Sequence, residues 1–205
     1  MDRQKFSGKW MEDLNRIKKL INQKLEKVER LIVAIDGNCG SGKTTLADAL
    51  ADQFDCNVIR MDDFFLPPEL RTKDRLLEAG GNVHYERFVE EVIMPLSQDE
   101  SFDYRVFSCH KMDYIGSSKV EKKSLTIVEG AYSMRPEFRV AYDLNVFVTC
   151  DREEQYARIL KRNGERGLKM FQERWIPMED RYFQAYDVKA LCDIVLDTSK
   201  EENEG

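Results

Sequence analysis

Histidine occurs only twice in the 205 residues, and the five cysteines (Cys39, Cys56, Cys109, Cys150, Cys192) form no C-x-x-C pair. Too few soft ligands are available for a structural zinc site. An odd, scattered set of thiols does not read as a disulfide framework, so reduced cysteines and a cytoplasmic location are expected. Long apolar runs are also lacking. The longest aliphatic stretch is Leu31 to Ile35, far short of the ~20 residues that span a bilayer. Residues 1–30 have no uninterrupted apolar segment of the signal-peptide kind, so no secretion and no membrane partner are expected. Excess positive charge is missing too: 32 basic residues face 38 acidic ones, which argues against a nucleic-acid partner. The basic residues are concentrated at the start, where residues 1–30 hold nine Lys or Arg against five Asp or Glu. That start reads as the solvated face of a helix.

What is present is an alternation of periods. Trp10, Leu14, Ile17, Ile21, Leu25 and Val28 recur at three- and four-residue steps and predict an amphipathic helix over residues 10–29. It is expected to pack on the outside of the following domain, with a homodimer contact left open. The branched run Leu31–Ile35, apolar on both faces, suits a central parallel strand. Similar runs stand at Leu125–Val128, Leu144–Val148 and Ile194–Leu196, with a weaker one at Val58-Ile59. Helical patterns lie between them, at 43–54, 84–96, 152–162 and 170–189. Strands alternating with helices imply an α/β architecture with a parallel sheet. Residues 101–120 break the rule and predict a short inserted hairpin. The polar tail 198–205 is expected to be frayed.

One motif carries chemistry. Residues 37–45 read Gly37-Asn38-Cys39-Gly40-Ser41-Gly42-Lys43-Thr44-Thr45, which is G-x-x-x-x-G-K-(S/T) between a predicted strand and a predicted helix. The glycines allow a tight turn whose N–H groups converge on phosphate oxygens. The helix that follows adds its dipole. In this pattern Lys43 reaches the β- and γ-phosphates and the Thr44 hydroxyl ligates Mg²⁺, so ATP and Mg²⁺ are the expected cofactors. Cys39 is read as a small filler of the loop. No N-K-x-D guanine element occurs, no apolar run ends in Asp-Glu, and the loop is not G-x-P-G-x-G-K. Those absences argue against a GTPase, a motor-type ATPase and an adenylate-type kinase.

Further segments then align with a known pattern. They are Met61-Asp62-Asp63-Phe64-Phe65 after the second strand, GGNVHYERF at 80–88, Val128-Glu129-Gly130 at the end of the third strand, LKRNGERG at 160–167 and RWIPMEDRYF at 174–183. With the phosphate loop, they make residues 31–197 resemble the uridine kinase family of phosphate-loop small-molecule kinases. That family is related to ribosylnicotinamide kinase, pantothenate kinase and phosphoribulokinase.

The resemblance implies a three-layer P-loop NTPase fold, with a five-stranded, mostly parallel sheet between helices, a small inserted hairpin and a helical lid. It divides the chain into an N-terminal helix (1–29), a kinase domain (30–197) and a tail. It implies that Asp62 serves as the base for an acceptor hydroxyl, that Glu129 acts near Mg²⁺ and that Arg162 and Arg166 close over the transferring phosphoryl group. For the acceptor it points to Asp62, Phe64, His84, Tyr85, Tyr104 and His110. The implied activity is ATP-dependent phosphorylation of a hydroxyl on a small metabolite, in the first instance the 5′-hydroxyl of a nucleoside-like compound. The segments that read the acceptor depart from the uridine kinase pattern, with no Asp in 82–85 and Phe102-Asp-Tyr104-Arg105 in the hairpin. A vitamin precursor or a sugar therefore stands as a second acceptor class, and a nucleotide-binding regulatory protein as a further alternative.

Overall fold

The computed structural model describes residues 8–200. A five-stranded parallel sheet forms its centre, in the order β2-β5-β1-β6-β7. The strands are β1 (Leu31–Gly37), β2 (Cys56–Arg60), β5 (Leu125–Glu129), β6 (Leu144–Thr149) and β7 (Ile194–Asp197). β3 (Phe102–Ser108) and β4 (Asp113–Val120) make a separate antiparallel hairpin. The two strands buried along their whole length, β1 and β5, are neighbours at the centre. Every side chain there meets a covering layer, which is why both read as unbroken apolar runs. The register pairs Ile35 with Glu129 and Gly37 with Val148. The ends of β1, β5 and β6 thus open together at one edge, with β1 between a partner on each side. In an open α/β sheet a crevice at that place is where ligands bind.

The sheet separates two cores. On one face, α1 (Gly8–Leu25) and α2 (Lys43–Ala51) cover Val33, Ile35, Ile127 and Val146. Leu14, Ile17 and Ile21 of α1 are buried in that layer. The helix ends four residues earlier than its periodicity predicts, and Val28 lies in solvent. On the other face Phe64, Phe88, Phe138 and Tyr182 pack under Ile32, Ala34 and Val128. Three short helices, α4 (Tyr85–Phe88), α5 (Met94–Gln98) and α6 (Pro136–Arg139), contribute to that core, while α3 (Lys73–Leu77) has no buried residue.

Two helical rods contain wide turns. α4 runs through a π-helical stretch, Val89–Ile93, into α5. α7 (Arg152–Met170) likewise runs through Phe171–Trp175 into α8 (Ile176–Tyr186). Each stretch is followed within two residues by a proline, Pro95 or Pro177. Proline has no N–H to give the carbonyl four residues back and its ring crowds that carbonyl, so a widened turn relieves the clash. α7 has its own break at Gly164, where φ is 68° and ψ 178°, a combination essentially confined to glycine. The tail is not frayed at its start, because the Thr198 hydroxyl donates to the Ser41 carbonyl (2.7 Å) and Asp151 N–H donates to Ser199 Oγ (2.8 Å). Residues 201–205 lie outside the described residues. No helix among the described residues is long and apolar enough to cross a membrane.

Candidate active site

The phosphate loop leaves β1 at Gly37 and enters α2 at Lys43. Gly37 has φ 142°, and a Cβ there would lie 1.8 Å from the Val148 carbonyl oxygen, so no other residue fits beside β6. Gly42, at φ 101°, sets the left-handed turn that starts α2. The N–H groups of Lys43, Thr44 and Thr45 have no backbone partner among the described residues. These are the orphan donors of a helix start, aimed where an anion would sit. Lys43 is folded back, its Nζ donating to the carbonyls of Gly37 (2.8 Å) and Asn38 (2.9 Å). Thr149 Oγ1 holds the Asn38 side chain at 3.0 Å.

The base of the loop is anchored by groups that motif reading did not single out. Asp36 is fully buried and accepts from Gly37 N–H (2.7 Å), Met134 N–H (2.9 Å) and the Tyr182 hydroxyl (2.7 Å). Burial pushes its carboxyl up, against those bonds and the Lys43 charge. Cys39 is gripped from two sides: its N–H donates to Glu179 Oε2 on α8 (2.8 Å) and its carbonyl accepts from Gln155 Nε2 on α7 (2.8 Å). Burial, with Glu179 adding to it, drives the Cys39 thiol far above its usual range, in keeping with a filler role. Arg158 ties α7 to the loop through the Gly40 carbonyl (3.2 Å) and to the Thr198 hydroxyl (2.8 Å).

Beside the loop, the Thr44 hydroxyl lies 3.3 and 3.4 Å from the two Glu129 oxygens. Glu129 is buried at the end of β5 and paired to Arg60 at 2.6 Å. Burial raises its pKa, while Lys43 and Arg60 oppose the rise. A hydroxyl and a carboxylate are hard oxygen donors, which suit Mg²⁺. No cluster of three or more His, Cys, Asp or Glu able to hold a metal occurs among the described residues. Mg²⁺ needs none, since it keeps waters and substrate phosphates as most of its ligands.

Asp62 is exposed on a 3₁₀ turn, Met61–Phe64, that follows β2, and it lines the same cavity as Lys43, Thr44 and Glu129. Its neighbour Asp63 faces away and accepts from the Tyr104 hydroxyl at 3.0 Å. The adjacent carboxylates are thereby separated into one that faces the cavity and one that fastens the hairpin. Burial raises the Asp63 carboxyl and pushes the Tyr104 phenol up to about 12. The whole cavity measures roughly 1330 Å³. A single drug-sized ligand fills ~300–1,000 Å³, so there is room for a nucleotide and a second small molecule.

Several expected acceptor residues lie elsewhere. Phe64 is fully buried, packed edge-on against Phe88 and 5.2 Å from the Tyr104 ring, while the next residue, Phe65, lines the cavity. Tyr85 is stacked between the Arg75 and Arg135 guanidinium groups, 3.7 and 3.9 Å from its ring centre. His84 caps the start of α4 and its N–H donates to the Phe64 carbonyl at 2.7 Å. Burial and the nearby Arg87 lower its pKa. His110 sits exposed in the hairpin turn, and its neighbours Cys109 and Met112 reach the cavity instead. Arg87, only 2% exposed, holds the region together by donating to the backbone carbonyls of Asp63 and Arg105 while lying over the Phe64 ring. Of the two lid arginines, Arg162 lines the cavity beside Lys161; Arg166 is exposed and does not.

No family model matches the sequence, and no curated protein does. Solved structures do. One is described as a possible uridine kinase from Bacillus stearothermophilus, with 21% identity and a TM-score of 0.69 over 89% of this chain and 98% of that one. Another is a candidate fructose transport system kinase from Silicibacter sp. TM1040, with 22% identity and a TM-score of 0.67 over 86% and 97%. A third is a candidate P-loop kinase from Saccharomyces cerevisiae with a circular permutation, with 12% identity and a TM-score of 0.62 over 94% and 99%. The parallel sheet, its flanking helices and the loop between β1 and α2 thus constitute the P-loop NTPase fold.

Proposed function

We propose that the protein transfers the γ-phosphoryl group of ATP to a hydroxyl of a small metabolite. The observation that carries this reading is the exposed Asp62 carboxylate, which shares one cavity with Lys43, Thr44, Glu129 and Arg162. A triphosphate on the loop meets the free N–H groups of α2. Lys43, now bonded to carbonyls of its own loop, is the cation that can turn to it. Mg²⁺, held through Thr44 and Glu129, would offset the negative charge of the phosphates. Asp62 orients the acceptor hydroxyl and takes its proton as the phosphoryl group arrives. Arg162, at the lid, stabilises charge on the phosphoryl oxygens and helps exclude water.

A nucleoside-like acceptor and a sugar are both compatible with a cavity of this size. The relatives in fold are described as a possible uridine kinase and a candidate fructose transport system kinase. With Tyr85 and Tyr104 outside the cavity, two of the expected stacking rings for a base are absent from its walls, and Phe65, three residues from Asp62, is an aromatic wall in that segment. A purely regulatory role is disfavoured by an exposed Asp62, for which nucleotide binding alone has no use. The test is ADP release from MgATP against nucleosides, sugars and vitamin precursors, with Lys43→Ala as the blank. Asp62→Asn is expected to lower kcat by about 10²–10⁴-fold with ATP affinity nearly unchanged. A loss confined to ATP affinity would remove Asp62 from the base role.

A further inference from the structure

The acceptor end of the cavity contains a cation that the phosphoryl-transfer chemistry does not use. Arg71 follows the stiff Pro67-Pro68 pair and lines the cavity with Asp62, Asn82 and Cys109. Its Nε donates to the Leu66 carbonyl at 2.7 Å. The guanidinium also bonds the Cys109 thiol, but it makes no ion pair with an Asp or Glu among the described residues, whereas Arg60 and Arg158 are both committed to carboxylates. The Cys109 thiol locates the group: burial pushes that thiol up, Arg71 pulls it down and Asp62 pushes it up. Arg71 and Asp62 thus both stand near that sulfur, Arg71 in bonding contact with it.

Asn82 supplies an independent observation. It is 6% exposed and lines the cavity, yet its side-chain amide makes no hydrogen bond with the described residues. The amide is not enclosed in the core but opens to the cavity, where a bound group can reach it. Asn82 and Arg71 are also built in register, because Leu66 donates its N–H to the Asn82 carbonyl (3.1 Å) and accepts Arg71 Nε on its own carbonyl. One backbone residue thus ties together the two segments that carry these donors. A guanidinium fork beside an amide is the donor set for a carboxylate or phosphate.

We infer that the acceptor is an organic anion: a small molecule carrying the reacting hydroxyl near Asp62 and a carboxylate or phosphate group read by Arg71 and Asn82. This rests on the kinase reading above and narrows it, since a neutral nucleoside or sugar would leave the Arg71 charge without a counter-ion. Phe65 and Met112 also line the cavity, so the carbon skeleton between the two polar ends meets apolar as well as polar groups.

Matched acceptors test the inference: glycerol, glycerate and glycerol 3-phosphate; ribose, ribonate and ribose 5-phosphate; and uridine as a neutral nucleoside. ADP release from MgATP is followed with Lys43→Ala as the blank. A charged member is expected to stimulate release at least tenfold over its neutral partner, and the carboxylate and phosphate arms separate the two sources of charge. Arg71→Gln should raise KM for that member about 10–100-fold, the scale of a hydrogen bond to a charged group, with KM for ATP changed less than twofold. Arg71→Lys should fall between. Stimulation by neutral members alone would overturn the inference while leaving the kinase reading intact, and a KM effect on ATP alone would move Arg71 to the donor.

A second measurement needs no acceptor. Iodoacetate and iodoacetamide attack the same Cys109 thiolate, which is exposed, but only the first is an anion. Their rate ratio at Cys109, read by peptide mass, should fall at least threefold in Arg71→Gln. If no acceptor stimulates, this ratio decides: an unchanged ratio overturns the inference, and a fall with no acceptor-stimulated release in wild type would count against the kinase reading instead.

Discussion

At the scale of single residues, the site depends on buried carboxylates. Asp36, Glu129 and Glu179 all have pKa values raised by burial. Glu179 is the cleanest to test, because its hydrogen bond from Cys39 N–H can be kept by a glutamine oxygen. A raised folded pKa means that the native state favours the protonated acid. The stabilisation from that proton is complete below the unfolded value near 4.5 and is lost as pH rises through the folded value. Glu179→Gln has no such proton to lose. Its melting temperature, relative to wild type, should therefore be highest at alkaline pH and decline as pH falls toward 4.5. A difference that is flat between pH 5 and 8 would show that Glu179 is not perturbed. Residue choices at the acceptor end were the least legible in the sequence. MDDFF announces a site, but only the 3₁₀ turn decides that Asp62 and Phe65 face the cavity while Asp63 and Phe64 face the core. His84 and Tyr85 were misplaced for a related reason. His84 is at the start of α4 through its backbone, and Arg75 and Arg135 claim the Tyr85 ring from distant parts of the chain.

At the scale of elements, β1 and β5 were legible because complete burial writes itself as nearly unbroken branched apolar residues, and β2, half-buried for most of its length, was the weakest run. The hairpin showed itself by lacking that pattern. The lid was legible only as an arginine-rich stretch, since neither the Gly164 break nor the wide turn before Pro177 has a periodicity of its own. Gly164 allows a direct test. A Cβ there would meet nothing within 4 Å, so alanine is opposed only by its own backbone, at about 1–3 kcal/mol. The easy relief is to straighten α7 through residue 164. Gly164→Ala should then gain helix by circular dichroism and lose turnover severalfold through a displaced lid, with little change in ATP affinity. Unaltered turnover would mean that the bend does not set the lid's position.

At the scale of the whole molecule, the sheet separates two cores, and α1 belongs to the one that contains α2, the helix entered by the phosphate loop. The amphipathic pattern of residues 10–29 revealed an apolar stripe but not its partner, because a helix face pairs equally well with its own sheet or with a second chain. Here the partner is β1, β6 and α2. Ile17 is fully buried, and Ile17→Ala should cost about 2–5 kcal/mol. For a chain of this length that is a fall in melting temperature on the order of 10 °C. A loss below 1 kcal/mol in denaturant titrations would show that α1 adds little to the fold.

The chain's two tryptophans, Trp10 on α1 and Trp175 at the end of the lid's wide turn, both line the large cavity. They stand on elements far apart in sequence, one of them next to the segment expected to close. The protein therefore contains its own optical reporter. Indole emission should respond to occupancy of the cleft without any attached dye, and Trp10→Phe and Trp175→Phe would divide the signal between the fixed wall and the lid.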